Sequence, residues 1–416
     1  MADEVSLLCR RARAAARPLA LCDRAAKDTA LRAVADGLRA GTASLLEANS
    51  RDLEDARARG MSQAMLDRLA LDTRRVDAMA QAVEEITELE DPVGAVLSDE
   101  RRPNGLRVRR VRVPIGVIAI VYEARPNVTA DASALCLKAG NAVVLRGGSE
   151  AGRSNAAIVA VVADALARTK LPRDAVQALP PGDRGAIREL LQQTETVDLA
   201  IPRGGEALIR FVQENARVPV IAHAKGVCHL YVDAGADVDV ATRLAVNGKL
   251  SRPSVCNALE CLLVDAHDAA RLLPPVAAAL LAGGCELRGC ERTRALVPQA
   301  AAAADDDWGR EYGDRILAVR VVDGLEGALA HVARFGSRHT EAICTRDAGH
   351  ADRWRREVDA ACVMVNASTR FHDGGELGLG AEIGIATTKL HWRGAMGLEA
   401  LTTFQWVVEG DGQTRG

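Results

Sequence analysis

A cysteine in a cation-flanked loop and two glycine pairs behind apolar runs are the residues of this sequence best placed to do chemistry. Cys256 lies in Arg252-Pro-Ser-Val-Cys-Asn, between a helical pattern ending near Asn247-Gly248-Lys249 and an apolar run starting at Leu259. Lys249 and Arg252 are expected to lower the thiol pKa and raise the fraction of thiolate, the form that attacks carbonyl carbon. A cysteine taken alone is more often a small buried apolar residue, and Cys261, inside the apolar run, keeps that reading. Arg146-Gly147-Gly148-Ser149-Glu150 follows the run Ala142-Val-Val-Leu, and Arg203-Gly204-Gly205-Glu follows Val197-Asp-Leu-Ala-Ile-Pro. Glycine lets backbone approach phosphate closely, and a helix start then donates its unpaired N–H groups. One Gly-Gly alone reads as a tight turn; two behind strands favour a dinucleotide site, although neither has the G-x-G-x-x-G spacing. Asn366-Ala-Ser-Thr-Arg370 is a third loop behind an apolar run. Cys228, His229 and His223 fit no usual zinc spacing, so no metal is expected.

These loops need elements to hold them. Residues 1 to about 98 read as helices: Leu31, Val34, Leu38, Leu45 and Leu46 recur at three- and four-residue spacings, with turns at Asn49-Ser50 and Gly60. The Val- and Arg-rich stretch around Asn104-Gly105 reads as an exposed hairpin whose arginines form a solvated face. From Val113 the texture changes to short apolar runs alternating with helical patterns, the mark of parallel sheets in an α/β protein. The runs include Val117 to Tyr122, Leu259 to Val264, Ile316 to Val322, Glu341 to Cys344 and a last strand from Leu401 to Val408. Pro274-Pro275 punctuate a loop. Ligands of parallel sheets sit at the carboxyl ends of strands, where the three loops above fall.

Bulk properties bound the function. A chain of 416 residues exceeds one ordinary core and implies two or three domains. A formal net charge of −3 and only 3% aromatic residues speak against nucleic acid. No secretory signal or membrane-length apolar run is present, and ten scattered cysteines without a CxxC pair read as reduced thiols in a cytoplasm.

Several long segments in order carry a resemblance. They are PIGVIAIVYEARPNVTADASALCLKAGNAVVLRGGSEA from Pro114, IPRGG at 201–205, GVCHLYVD at 226–233, RPSVCNALE at 252–260, RFGSRHTEAI at 334–343 and NASTRFHDGGELGLGAEIGI at 366–385. Over essentially the whole chain the sequence resembles the gamma-glutamyl phosphate reductase family of the aldehyde dehydrogenase superfamily. The resemblance implies a Rossmann-like cofactor domain, an α/β catalytic domain and a small oligomerisation element. In this numbering these are 1–98 and 114–230, with 366–390 returning; 231–365; and 99–113 with 391–416. It implies NADPH-dependent reduction of L-glutamyl 5-phosphate to L-glutamate 5-semialdehyde through a cysteine thioester, the second step of proline biosynthesis. A homodimer or homotetramer is implied. A transient contact with glutamate 5-kinase is an extension suggested by the lability of an acyl phosphate.

Residue roles follow by position. Cys256 matches the catalytic thiol, and Asn127 the asparagine that helps hold the oxyanion. Arg146 takes the place of the superfamily lysine at the cofactor ribose, within the Arg146–Glu150 loop that also holds Gly147, Gly148 and Ser149. Gly204 and Gly205 match the turn over the pyrophosphate, and Glu311 the glutamate near the nicotinamide ribose. Arg252 and Arg370 are candidates for the substrate α-carboxylate. Hydrolytic aldehyde dehydrogenases have a glutamate before two glycines that activates water; the corresponding Ala222-His-Ala-Lys-Gly-Val-Cys-His lacks it, as a reductase guarding its thioester requires. The rival readings are a coenzyme A-dependent acylating dehydrogenase and a non-catalytic scaffold.

Overall fold

The structure, a computed structural model, describes residues 2–123, 125–180, 184–223 and 225–415. The chain divides into two compact units. Met1–Ala222, Leu379–Gly384 and Met396–Gly416 make the first; His223–Gly378 and Ile385–Ala395 make the second.

The first unit opens with helices Ala2–Ala20, Arg24–Ala40, Thr42–Ala58, Gln63–Leu69 and Thr73–Glu88. Asp23 caps the second by accepting from Ala26 N–H at 2.8 Å, and its periodic Leu31, Val34 and Leu38 are buried. Asn49-Ser50 is not the expected turn but lies within Thr42–Ala58. The Asn49 carboxamide is buried and donates to Leu69 O (2.9 Å) and Ser154 Oγ (3.1 Å), and its Oδ1 accepts from Leu71 N–H (2.8 Å). With its polar atoms satisfied by distant partners, the residue does not compete with the helix backbone.

Strands β1 (Val96–Arg101) and β2 (Arg107–Pro114) form the expected hairpin, turning at Asn104-Gly105 with Gly105 at φ +91°. Then β3 (Val117–Tyr122), β4 (Ala142–Arg146), β5 (Val176–Ala178) and β6 (Leu199–Arg203) make a parallel sheet in the order β5-β4-β3-β6. Every residue of β3 is buried, which is why it reads as an unbroken apolar run. Val117, Ala119 and Val121 pack with Val5, Cys9, Ala12 and Ala16 of the first helix. The chain leaves β3 towards β4 on one side and later returns as β6 on the other, so a switch point lies between β3 and β6.

The second unit holds β7 (Cys228–Val232), β8 (Leu259–Asp265), β9 (Glu286–Gly289), β10 (Ala301–Ala302), β11 (Ile316–Val322), β12 (Thr340–Cys344) and β13 (Cys362–Val365). They form a parallel sheet in the order β10-β9-β11-β8-β7-β12-β13. Helices Val238–Leu250 and Ala269–Ala282 cover one face; Trp308, Trp354 and helix Gly324–Phe335 cover the other. Pro274 and Pro275 sit inside Ala269–Ala282 rather than in a loop. Burial of Leu272, Leu273, Val276, Ala277 and Leu280 against the sheet offsets the backbone hydrogen bonds that two prolines forgo. A short antiparallel pair, β14 (Ile385–Ala386) and β15 (Gly394–Ala395), completes this unit. In the first unit, β16 (Thr402–Glu409) pairs antiparallel with β2.

The division differs from the expected domain borders in two places. The second unit begins before 231, because β7 is hydrogen-bonded between β8 and β12 and cannot belong elsewhere. The return to the first unit is only Leu379–Gly384, not 366–390: Asn257 Nδ2 donates to Arg370 O (3.4 Å) and His372 O (3.0 Å), holding that stretch to the second sheet. Residues 391–395 likewise stay with the second unit through β15. Among the described residues no helix is long and apolar enough to cross a membrane.

Candidate active site

In the first unit, the loops after β3, β4 and β6 meet at the carboxyl edge of the sheet, around the switch point. Tyr122 O–H donates to Thr129 Oγ1 (2.6 Å), whose own proton goes to Asn155 Oδ1 (2.9 Å). That fixes the Asn155 carboxamide against the β4 loop: a Cβ on Gly147 would lie 2.1 Å from Asn155 Nδ2 and 3.0 Å from the Tyr122 ring. Only glycine fits, so the loop backbone packs directly on Tyr122 and Asn155. The Arg146 side chain is mostly buried and donates to its neighbour's carbonyl, Gly147 O. Glu150 folds over Gly148.

Two clefts flank this loop. An apolar-lined one of 340 Å³ lies between Leu145, Gly147, Ala156, Ala178 and Leu179. An open groove of 530 Å³ is lined by Ser149, Arg59, Arg153, Asp52 and Asp55. At the β6 loop, Gly205 N–H donates to Glu123 Oε2 at 2.8 Å, at the start of helix Glu206–Asn215. A Cβ on Gly204 would sit 2.4 Å from the same oxygen. A negatively charged oxygen thus already lies on the N–H expected to face a pyrophosphate, as an anion does at a helix start. Asn127 is exposed at the first turn of helix Asn127–Lys138 and donates to Asp131 Oδ2 at 3.1 Å. Burial pushes the Asp131 carboxyl up to about 6, against that hydrogen bond and the charge of Arg203.

In the second unit the chemistry gathers at the opposite, amino edge of the sheet. Cys256 precedes β8, Gly226 precedes β7 and His339 precedes β12. The glycine loops lie at carboxyl ends of strands and the thiol precedes its strand, each where the sequence placed it. Cys256 is half-buried. Its carbonyl accepts from Cys228 S–H at 3.2 Å. A Cβ on Gly226 would fall 2.0 Å from Cys256 O and 2.7 Å from its Cα, so the two backbones touch. Glu311 Oε2 accepts from Gly226 N–H (2.9 Å), and Ser337 Oγ bridges Val227 N–H (2.9 Å) and Val227 O (3.2 Å). Glu311, expected near a ribose, thus pins the backbone that packs on the nucleophile's own.

The cations resolve differently from the sequence reading. Lys249 is fully buried and paired with Glu260 Oε2 at 2.7 Å, so its charge is already compensated and does not serve Cys256. Arg252 is exposed on the Cys256 loop. Arg370 is brought in from a distance: after β13 the chain crosses back to the amino edge, and Arg370 Nη1 donates to Asn257 Oδ1 beside Cys256. The residues to which sequence reasoning gave no role are Gly226, Asn257 and His339, while His223 was weighed only with Cys228 and His229 as a metal ligand and set aside. No local spacing marks them, since they come from separate loops that only strand order brings together.

Replacing Gly226 by alanine should lower kcat by about 10²-fold or more, because the new methyl displaces the Cys256 backbone by roughly an ångström. Cofactor affinity, measured by fluorescence titration, should stay unchanged; a wild-type kcat would remove the role given to this contact.

The aldehyde dehydrogenase family model matches residues 1–283. A curated gamma-glutamyl phosphate reductase from Sorangium cellulosum is 62% identical over 413 residues, covering 98% of this chain and 97% of its own. Another from Anaeromyxobacter sp. is 56% identical over 420 residues, covering 100% of this chain and 98% of its own. The crystal structure of gamma-glutamyl phosphate reductase from Thermotoga maritima superposes with a TM-score of 0.98 at 44% identity, covering 99% of this chain and 100% of that one. An acetylating aldehyde dehydrogenase from Geobacillus thermoglucosidasius shares the fold alone, at a TM-score of 0.70 and 16% identity. Identity of this extent over the whole length, together with a half-buried thiol on a pinned loop and a glycine-lined carboxyl edge, means that the chain belongs to the gamma-glutamyl phosphate reductase branch of the aldehyde dehydrogenase family.

Proposed function

We propose that the chain reduces L-glutamyl 5-phosphate to L-glutamate 5-semialdehyde and phosphate with NADPH, as the second step of proline biosynthesis, in the cytoplasm. The observation that carries this reading is the 62% identity over 98% of the chain to a relative named for that reduction. The surroundings of Cys256 agree with it. The segment 222–228 beside it contains no carboxylate, and Glu311, which reaches that segment, is engaged by Gly226 N–H. With no carboxylate in that segment to activate water, and with His339 held well below the ordinary histidine pKa and so a weak base, a thioester on Cys256 survives until it is reduced. All ten cysteines are free thiols, as a reducing compartment allows.

An acyl phosphate already carries a good leaving group, so the protein has only to position a thiolate and hold the developing oxyanion. Cys256 Sγ bonds to the γ-carbonyl carbon. The carbonyl oxygen takes negative charge, for which Cys256 N–H is a donor; the Asn127 carboxamide has that role only by its match to the family motif. The C–O bond to phosphate breaks, leaving a γ-glutamyl thioester. Arg370, held by Asn257, and the exposed Arg252 are the cations for the substrate α-carboxylate. The glycine loops of the first unit follow β4 and β6 beside the switch point, the place where a parallel sheet takes a nicotinamide dinucleotide. The 340 Å³ cleft suits the adenine; on the groove beside it Ser149 and Arg59 suit a 2′-phosphate, Arg153 being paired there with Asp52 (3.3 Å) and Asp55 (2.7 Å). A reduced nicotinamide bound there would supply hydride to the thioester carbon, and the C–S bond would then break to give the aldehyde and return the Cys256 thiolate.

The test is the reverse reaction: glutamate 5-semialdehyde, phosphate and NADP, followed by reduced-cofactor absorbance. Turnover that needs phosphate and prefers NADP to NAD supports the reading. Turnover that needs coenzyme A instead of phosphate would overturn it in favour of an acylating dehydrogenase.

The chain is also proposed to form a homo-oligomer through the sheet β1-β2-β16. Phe404, Trp406 and Val408 are exposed on the edge strand β16, and Arg110 stacks over both aromatic rings at 5.4 and 5.7 Å. An exposed apolar edge strand of this kind is ordinarily covered. Trp406→Glu should convert the oligomer to monomer by sedimentation velocity; unchanged mass would exclude this surface.

A further inference from the structure

The three loops that meet at the amino edge of the second sheet bring more than the thiol together. His223, Cys256 and His339 each offer one ligand atom, and these atoms all lie within 4.8 Å of one another. The two imidazole rings meet edge to face with centroids 5.4 Å apart.

The hydrogen bonds point to the nitrogen of each ring that keeps its lone pair. His223 Nδ1 lies 2.8 Å from Ile385 O, an acceptor only, so Nδ1 carries the proton and Nε2 the lone pair. For His339 the argument runs through its neighbours. Cys256 O can only accept, so Cys228 spends its S–H there. Cys228 Sγ, 3.6 Å from His339 Nδ1, is then left as an acceptor, so His339 Nδ1 carries the proton. Thr340 Oγ1, 2.8 Å from His339 Nδ1, accepts as well and passes its own proton to His372 Nδ1, also at 2.8 Å. This leaves the lone pair on His339 Nε2, a buried atom with no hydrogen-bond partner. Burial, with His223 and His372 nearby, holds His339 well below the ordinary histidine pKa and hence neutral. Neutral imidazoles whose second nitrogen is bound to an oxygen are the form in which histidine ligates metals.

We propose that His223 Nε2, His339 Nε2 and Cys256 Sγ form a reversible site for Zn²⁺, or another thiophilic divalent cation, and that the bound ion blocks the nucleophile. Two nitrogens and a sulfur with one open position is a donor set that suits zinc. Tetrahedral zinc at its usual bond lengths needs ligand separations of about 3.3–3.7 Å. The three atoms therefore have to draw together by no more than about an ångström. The half-buried Cys256 and His223 side chains can turn about their own bonds on a held backbone; His339 is buried in the core. Binding exchanges the Cys256 thiol proton for the metal and releases it to water, with no change of oxidation state. The fourth position takes a water. A metal-held thiolate no longer attacks an acyl phosphate, so the ion acts as a brake on the activity.

A second trio of the same residue types shows why this one is singled out. His229, Cys261 and His331 are equally close, but all three are buried. Arg320 Nη1 donates to His331 Nδ1 (3.0 Å), which leaves His331 Nε2 protonated towards Cys261 Sγ. Against its desolvation, Glu341 raises His229 to about 10, so that ring is protonated too. Neither imidazole offers a lone pair.

The test uses the full chain in buffer free of chelators and added thiols, titrated with Co²⁺ as a spectroscopic stand-in for zinc. One equivalent per chain should produce a thiolate-to-cobalt charge-transfer band, bleached by Zn²⁺. Cys256→Ser should lose the band. His223→Ala and His339→Ala should each weaken binding by at least about tenfold. His339 is buried and its variant can fail to fold; His223 is half-buried, so His223→Ala, checked by circular dichroism, keeps the test decisive. A band that persists at wild-type affinity in folded His223→Ala, or in Cys256→Ser, overturns the site. Zinc should inhibit turnover with the same rank order. The cobalt readout does not depend on turnover, so a failure of the proposed reductase activity is distinguishable from a failure of this site.

Discussion

Cys256→Ser should lower turnover by about 10⁴-fold or more, with the loss in kcat and cofactor affinity intact. A thiol near pKa 8.5 supplies thiolate at neutral pH, whereas a serine hydroxyl supplies almost no alkoxide, and the neighbouring His339, held well below the ordinary histidine pKa, is too weak a base to make up the difference. The exchange removes little packing, because Cys256 is half-buried on a loop and lies outside the apolar clusters of both units. The loop is pinned by backbone: the Gly226 contact, the Cys228 S–H to Cys256 O bond and the Asn257 carboxamide all survive the exchange. The defect should therefore be chemical, not structural. Steady-state and single-turnover rates, with thermal midpoints alongside, separate the two. Turnover within tenfold of wild type would remove Cys256 from the nucleophile role. Loss of both folding and activity would contradict the pinned-loop account.

The second large effect concerns stability. Lys249 ends the helix before the Cys256 loop and Glu260 lies on β8 after it, so their buried pair clamps both ends of that loop. Removing one partner strands an uncompensated buried charge, and Lys249→Met should destabilise the protein by about 3–5 kcal/mol. The double variant Lys249→Met/Glu260→Leu should recover most of that, because two apolar side chains carry no desolvation penalty. pH adds a signed test. Burial pushes the Glu260 carboxyl up to about 7 even with Lys249 beside it. A carboxyl raised on folding favours the folded state while protonated, so its contribution is full below the unfolded value of about 4.3 and is lost as pH rises through about 7. Without Lys249 the carboxyl is pushed higher still, so the deficit of Lys249→Met should widen between pH 6 and 8. Urea midpoints at these pH values measure it. A double variant as unstable as the single one, or a deficit that narrows with pH, would contradict the clamp.

What was legible in the sequence was whatever short-range order writes. The apolar run Val117 to Tyr122 announced a buried central strand, the spacing of Leu31, Val34 and Leu38 a helix, and Asn104-Gly105 a hairpin. The glycines at 147 and 204 are glycines because neighbours within the same unit leave no room for a Cβ, and the sequence marked both loops. Cys256 stood out through its loop, and the long motifs around it carried the family.

Where chemistry needs partners from different loops, local pattern was silent. Lys249 looked like an activating cation, yet folding aims it at Glu260 across the strand entrance. Asn49 looked like a turn, yet its amide is claimed by Leu69 and Ser154. The site's edge of the second sheet, the approach of Arg370 to Asn257 and the meeting of His223 and His339 around Cys256 follow from strand order, with β7 set between β8 and β12. Periodicity and turn chemistry are properties of neighbouring residues, and the sequence alone determines them. Which loops share one edge of a sheet depends on how remote strands pair. That is set by burial summed over the whole unit, and only the tertiary structure decides it.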